Sequence, residues 1–92
     1  MIKIQWDSTV IDDMIGVLYN EPLWLCTIKS GTDDGHSLLA KEYNAVENKV
    51  LIYDTSYMRS EWVSITSVFN SSGFTLSWRG STIFKVWGSI YI

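Results

Sequence analysis

The chain has 92 residues, a length that accommodates one hydrophobic core and therefore one domain. Hydrophobic residues make up 47% and charged residues 18% of the sequence, a balance typical of a folded protein and too apolar for a disordered one. No apolar run approaches the roughly 18 residues that a membrane helix needs, and the first residues lack the apolar stretch of a signal peptide. We therefore expect a cytoplasmic protein (in the host cytoplasm if a virus encodes it) with no membrane partner.

Two elements are predicted in the first quarter of the chain. Residues 2–6 alternate apolar and polar side chains, which predicts a half-buried strand. Residues 7–9 offer three helix N-caps, and Pro22 ends the helical pattern because it disfavours the α conformation in the preceding residue. The apolar residues between these points recur at the spacing of one helix face: Ile11, Met14, Ile15 and Leu18.

The remaining sequence predicts strands that are joined by short turns. Apolar, β-branched or alternating runs occur at residues 23–29, 37–44, 50–53, 62–69, 74–79, 82–87 and 89–92. Gly88 predicts a bulge or bend between the last two. Sequential hairpins form antiparallel sheets, and so many strands on one small chain require strong curvature. The sequence thus predicts one α+β domain over residues 1–92. It consists of a curved, barrel-like antiparallel sheet of six or seven strands with one N-terminal helix packed on it.

Few residues suggest chemistry. Cys26 is the only cysteine, which excludes an internal disulfide and a cysteine-based metal site. The only histidine, His36, follows it across a turn, but the apolar neighbours of Cys26 favour a core position over a catalytic pair. Asp33 and Asp34 beside His36 contain metal-ligating groups, yet aspartate and glycine are also what a tight turn requires. We therefore predict a protein without enzymatic activity, bound metal or cofactor.

Charge is unevenly distributed along the chain. Residues 1–47 carry eight acidic and three basic side chains, a net charge of −5, whereas residues 48–92 have a net charge of +2. Acidic surface accelerates encounter with basic partners. We therefore expect a small acidic protein-binding module that inhibits a partner with a basic surface, as toxin-immunity proteins and phage antagonists of bacterial defence do. The predicted protein-binding residues are Asp33, Asp34, Glu42 and Glu47, with Asp12 and Asp13 as a second patch.

Two alternative functions compete with this prediction. A structural subunit would form a homodimer through an exposed sheet edge or a tryptophan patch. A single-stranded nucleic-acid binder would stack bases on a curved sheet and contact phosphates, although the acidic net charge disfavours it. The residues that would serve this last function are Arg59, Arg79 and Lys85 beside Trp62, Trp78 and Trp87.

Overall fold

The chain forms one open antiparallel sheet in a computed structural model that describes residues 2–5, 15, 16, 18, 22–70 and 72–91. Five strands in the order β6-β2-β3-β4-β5 make up its body, and the short β1 extends it beside β6. The strands are β1 (Ile2–Gln5), β2 (Leu23–Lys29), β3 (Gly35–Asn44), β4 (Lys49–Asp54), β5 (Arg59–Ser64) and β6 (Phe84–Tyr91).

One face of the sheet carries the hydrophobic core. Alternate residues of β2, β3, β4 and β5 point to this face, because successive side chains in a strand point to opposite sides. Cross-strand partners on this face include Leu25 with Leu38 and Ala40 with Ile52, and all four side chains are buried. In β4, the buried residues Val50, Ile52 and Asp54 alternate with less buried neighbours.

The long connection from β5 to β6 covers this core face. It begins with a four-residue helix, α1 (Ile65–Val68), and continues as extended chain that buries Phe74 and Leu76. Phe74 and Phe84 exchange both backbone hydrogen bonds, at 3.0 and 2.8 Å, which fastens the connection to β6. A 3-10 turn at Ser77–Arg79 follows and leads the chain back toward β6.

The predicted barrel-like architecture is wrong, because the sheet is open. β1 and β5 form its two opposite edges, and no pairing within the described ranges joins them. Residues 62–69 are a strand only as far as Ser64, and residues 74–79 form an isolated bridge and a 3-10 turn. Residues 82–91 contain a single strand, β6. The bulge or bend expected at Gly88 is a register shift against β2 and does not interrupt the strand.

The predicted α+β class, with one N-terminal helix packed on the sheet, is also wrong, because the described residues contain very little helix. Ile15, Gly16 and Leu18 are helical, and Leu18 packs against the core, but the rest of the predicted N-terminal helix lies outside the described residues. Elsewhere in the described ranges the helical structure consists of α1 and one 3-10 turn. The protein is therefore an antiparallel-sheet protein. The predicted strand at residues 23–29 and the predicted hairpin formed by β3 and β4 are confirmed.

Candidate functional site

Three turns lie together at one end of the sheet, which we call the loop end: residues 30–34, 55–58 and 80–83. The backbone N–H of Ser30 donates to the carbonyl of Ile83 at 2.8 Å and joins two of them. Residues 30–34 and 55–58 are separated by two strand spacings, which corresponds to about 10 Å. All three turns therefore fit within the footprint of one binding partner.

A cluster of buried polar side chains lies beneath the loop end. It consists of Asp54, whose side chain is 0% exposed, and the groups that contact it. Arg79 donates from Nε to Oδ2 at 2.7 Å and from Nη2 to Oδ1 at 3.1 Å. Trp78 Nε1 donates to Oδ2 at 2.8 Å, and the backbone N–H of Ser56 donates to Oδ1 at 3.1 Å. These four hydrogen bonds use the accepting capacity of the carboxylate, since each oxygen has two lone pairs.

The charges in this cluster are mutually stabilised. Burial acts to raise the pKa of Asp54, but hydrogen bonds from Arg79 and Trp78 and the positive charge of Arg79 outweigh it and lower the pKa to about 2. Hydrogen bonding to Asp54 in turn raises the pKa of Arg79. The pair is therefore ionised at neutral pH and fixes the turn at Ser77–Arg79 on the end of β4.

His36 completes the cluster from β3. Arg79 Nη2 donates to His36 Nε2 at 2.9 Å, so Nε2 uses its lone pair as the acceptor. In that state Nε2 carries no proton, and its 3.4 Å contact with Asp54 Oδ1 is not a hydrogen bond. The Nε2 atom of His36 and the carboxylate of Asp54 both accept hydrogen bonds from Arg79.

The lowered pKa of Asp54 predicts a loss of stability in acid. Because its pKa is lower in the folded state than the ordinary value of 3.8, its contribution is present above pH 4 and is lost as the pH falls toward 2. We expect this group alone to account for about 2 kcal/mol of the unfolding free energy. Urea unfolding followed by tryptophan fluorescence at pH 2, 3, 4 and 5 measures it. The difference between wild type and Asp54→Asn should shrink by that amount, and a constant difference would contradict the prediction.

Large exposed side chains project from the loop end above this cluster. We call the exposed Tyr57, Met58 and Arg59, together with the half-buried Trp78, the arginine–aromatic tip. Tyr57 is 49% exposed and Met58 is 78% exposed. The guanidinium of Arg79 lies 4.5 Å from the centre of the Tyr57 ring, and that of Arg59 lies 5.0 Å from the Trp78 ring. These stacks restrict the exposed ring of Tyr57 and the half-buried ring of Trp78.

Met58 occupies an unfavourable backbone conformation. Two four-residue turns connect neighbouring strands, at residues 45–48 and 55–58, and each ends in the left-handed region. The first ends with Asn48 at φ 55°, a residue type that tolerates this conformation, whereas the second ends with Met58 at φ 53°. The sequence thus places a large apolar side chain where the backbone favours glycine or asparagine. Because the Met58 side chain is 78% exposed, its burial contributes little free energy to offset this backbone strain.

The predicted acidic site residues do not form one patch. Asp33 and Asp34 are exposed at the loop end, beside the tip. Glu47 is exposed on the turn at the opposite end of the sheet, and Glu42 is exposed on β3 close to that turn. The ten residues of β3 separate these two groups by roughly 30 Å. Asp12 and Asp13 lie outside the described residues.

The other sequence-based candidates are also separated. Cys26 pairs with Ser37 and Thr27 pairs with His36, so Cys26 and His36 point to opposite faces of the sheet. Within the part of the chain that the structure describes, no three histidine, cysteine or carboxylate side chains form a group that could hold a metal ion. Of the basic residues near tryptophan, Arg59 does stack on Trp78, but the charge of Arg79 is neutralised by Asp54.

Comparison with protein-family models, with curated proteins and with solved structures finds no match for this chain. None of the helices in the described ranges has the length and apolar character required to cross a bilayer.

Proposed function

We propose that this protein acts by binding another protein through its loop end, as a non-enzymatic antagonist or accessory factor. The observation that carries the proposal is Met58, an apolar side chain that is 78% exposed at a left-handed position. Backbone strain of this kind costs about 1–2 kcal/mol and is concentrated at functional sites. A hydrophobic contact with a partner would offset that cost.

The composition of the tip supports a protein partner. Tryptophan, tyrosine and arginine dominate the binding energy of protein interfaces, and methionine is enriched there as well. The buried pair of Asp54 and Arg79 holds the rings of Tyr57 and Trp78 in place, which reduces the entropy lost on binding. Asp33 and Asp34 lie about 10 Å away and add an acidic rim. The expected partner surface is therefore an apolar pocket with basic residues at one side.

The buried cluster supports binding over chemistry. A general base or nucleophile needs a free lone pair facing a substrate. The lone pairs of Asp54 and the Nε2 atom of His36 are already engaged by Arg79, Trp78 and Ser56. These residues serve to shape the surface above them.

The test compares substitutions in the two equivalent turns. Met58→Asn should leave the free energy of unfolding unchanged or raise it by about 0.5–1 kcal/mol, because asparagine tolerates the left-handed region. Val46→Asn is the matched control, since Val46 is 96% exposed on the turn at the opposite end. The immobilised chain is exposed to extract from the native host. A protein retained by wild type and Val46→Asn should be lost with Met58→Asn.

Several outcomes would contradict the proposal. Retention of the same protein by Met58→Asn would show that the tip does not bind it, and loss of stability in Met58→Asn would remove the strain argument. Sedimentation as a dimer that dissociates in Met58→Asn would favour a structural subunit. Quenching of tryptophan fluorescence by a single-stranded oligonucleotide at low salt would favour nucleic-acid binding.

The acidic residues of the loop end give a separate prediction. Replacement of both Asp33 and Asp34 by lysine should slow association with the partner and weaken the salt dependence of its rate.

A further inference from the structure

A groove runs along the free edge of β5. It has a volume of about 460 Å³, within the range of about 300–1,000 Å³ that is typical of ligand sites. Four consecutive residues of β5, from Glu61 to Ser64, line one side, and residues 72–75 of the long connection line the other. Because successive side chains of a strand point to opposite faces, a groove that contacts all four must follow the backbone edge itself.

The backbone groups that face this groove follow from the register of β4 and β5. The N–H of Ile65 donates to the carbonyl of Asn48 at 2.9 Å, so residues 48 and 65 form a hydrogen-bonded pair. Such pairs alternate in an antiparallel ladder, which makes Val50–Val63 and Ile52–Glu61 the next two. The N–H and C=O groups of Trp62 and Ser64 therefore point away from β4 toward the groove. No strand within the described ranges pairs with them.

The opposite wall of the groove does not offer a competing strand. The N–H and C=O groups of Phe74 both bond to Phe84, and the N–H of Ser72 donates to Asn70 Oδ1 at 2.8 Å. What this wall and the floor contribute instead are side-chain hydroxyl groups, from Ser67, Ser72 and Thr75. The groove thus combines one unpaired strand edge with a wall that carries hydroxyl groups and the exposed side chain of Ile83.

We propose that this groove binds an extended segment of a partner protein, which adds to the sheet as a strand antiparallel to β5. The main-chain groups of Trp62 and Ser64 would bond to the segment, and the hydroxyl groups would contact its side chains. Lys49 lines the groove beside Ser64 and makes no ion pair with any described residue. An antiparallel segment has its N-terminal end there, so we expect an acidic residue at that end.

The geometry favours a single segment over a second copy of this chain. Residues 72–75 line the groove together with β5, so the space beside the strand edge is bounded by the long connection. A second copy would pair its own edge strand with β5 at about 4.8 Å and would bring further strands behind it, toward residues 72–75. The groove is lined by other residues than the tip at the loop end. Binding at the loop end and binding in the groove can therefore be tested independently.

The test uses peptides and two substitutions at one residue. Ten-residue random peptides displayed on phage are selected against the full chain, and the strongest is synthesised as the probe. Trp62→Pro removes the N–H that faces the groove, whereas Trp62→Ala removes the indole and keeps the N–H. We expect Trp62→Pro to weaken peptide binding at least tenfold relative to Trp62→Ala, and Met58→Asn to leave it unchanged. Circular dichroism confirms that both variants fold.

Amide hydrogen exchange keeps the proposal testable if Trp62→Pro fails to fold. In the wild-type chain, the peptide should slow exchange at Trp62 and Ser64 at least tenfold and leave Val63 unchanged, because Val63 already bonds to β4. Equal binding to the two variants, unchanged exchange at Trp62, or failure to select any peptide would each overturn the proposal. Self-association of the wild type that Trp62→Pro abolishes would assign the edge to a second copy instead.

Discussion

Replacement of Asp54 by asparagine is expected to lower the free energy of unfolding by about 3–5 kcal/mol, a large share of the stability of a small domain. The amide has the same shape as the carboxylate but no charge. It leaves the guanidinium of Arg79, whose side chain is 12% exposed, without its counter-ion. One of the two carboxylate oxygens also becomes an NH2 donor, which faces donors from either Arg79 and Trp78 or Arg79 and Ser56.

Urea denaturation at pH 7 measures this loss, and Asp34→Asn serves as the control. Asp34 is exposed on the turn at residues 30–34, so its change should stay within about 0.5 kcal/mol. A loss below about 1 kcal/mol for Asp54→Asn would show that the buried pair is not the main fastening of the Ser77–Arg79 turn. Adding Arg79→Met to Asp54→Asn should recover part of the loss, because no buried charge then remains unpaired.

The stability of the cluster and the shape of the tip are physically linked. The guanidinium of Arg79 stacks on the ring of Tyr57. Trp78 donates a hydrogen bond to Asp54 and stacks against Arg59. If Asp54 loses its charge, the rings lose the contacts that position them. Variants of the cluster are therefore unsuitable as tests of binding, and Met58, which contributes no hydrogen bond to the cluster, is the better position.

The local alternation of side chains was sufficient to predict the central strands. The run at residues 23–29 and the hairpin of β3 and β4 have apolar residues on one face and turn residues between them. β3 and β4 pair through their turn with one register shift, between Ala40 and Glu42. The same signal misled at residues 74–79. Phe74 and Leu76 alternate with exposed Thr75 because an extended chain lies on the core, and burial alone produces that period without a partner strand.

The candidate site was harder to predict because its parts are distant in the sequence. His36, Asp54 and Arg79 meet only after three strands and a long connection have been placed, and nothing local marks Asp54 as buried. The turn sequence predicts the exposed acidic pair at residues 33–34, but it does not indicate that Glu47 lies at the other end of the sheet. The sequence of the turn at residues 55–58 does contain one local indication of the tip. A turn that contains Tyr57 and Met58 but neither glycine nor asparagine is unusual.

Replacement of Gly73 by alanine is the second change with a large expected effect. Gly73 has a φ of +81°, and a Cβ built on it collides with the backbone oxygen of Phe84 and lies 2.8 Å from Ile83 Cγ2. That oxygen accepts the hydrogen bond from Phe74 at 3.0 Å, so it cannot withdraw without breaking the contact that fastens the connection to β6. We expect a loss of about 2–5 kcal/mol, the sum of left-handed strain and overpacking.

Gly31→Ala separates these two contributions. Gly31 has the same φ of +81°, but nothing lies within 4 Å of the position of its Cβ. Its substitution should therefore cost only the strain, about 1–2 kcal/mol. Urea unfolding of both variants gives the difference, which measures how closely the backbone of Gly73 approaches β6. Equal losses would mean that Phe84 yields at little cost and that Phe74 is held by its buried ring and not by the bridge. The groove along β5 would then have a movable wall, because residues 72–75 form it.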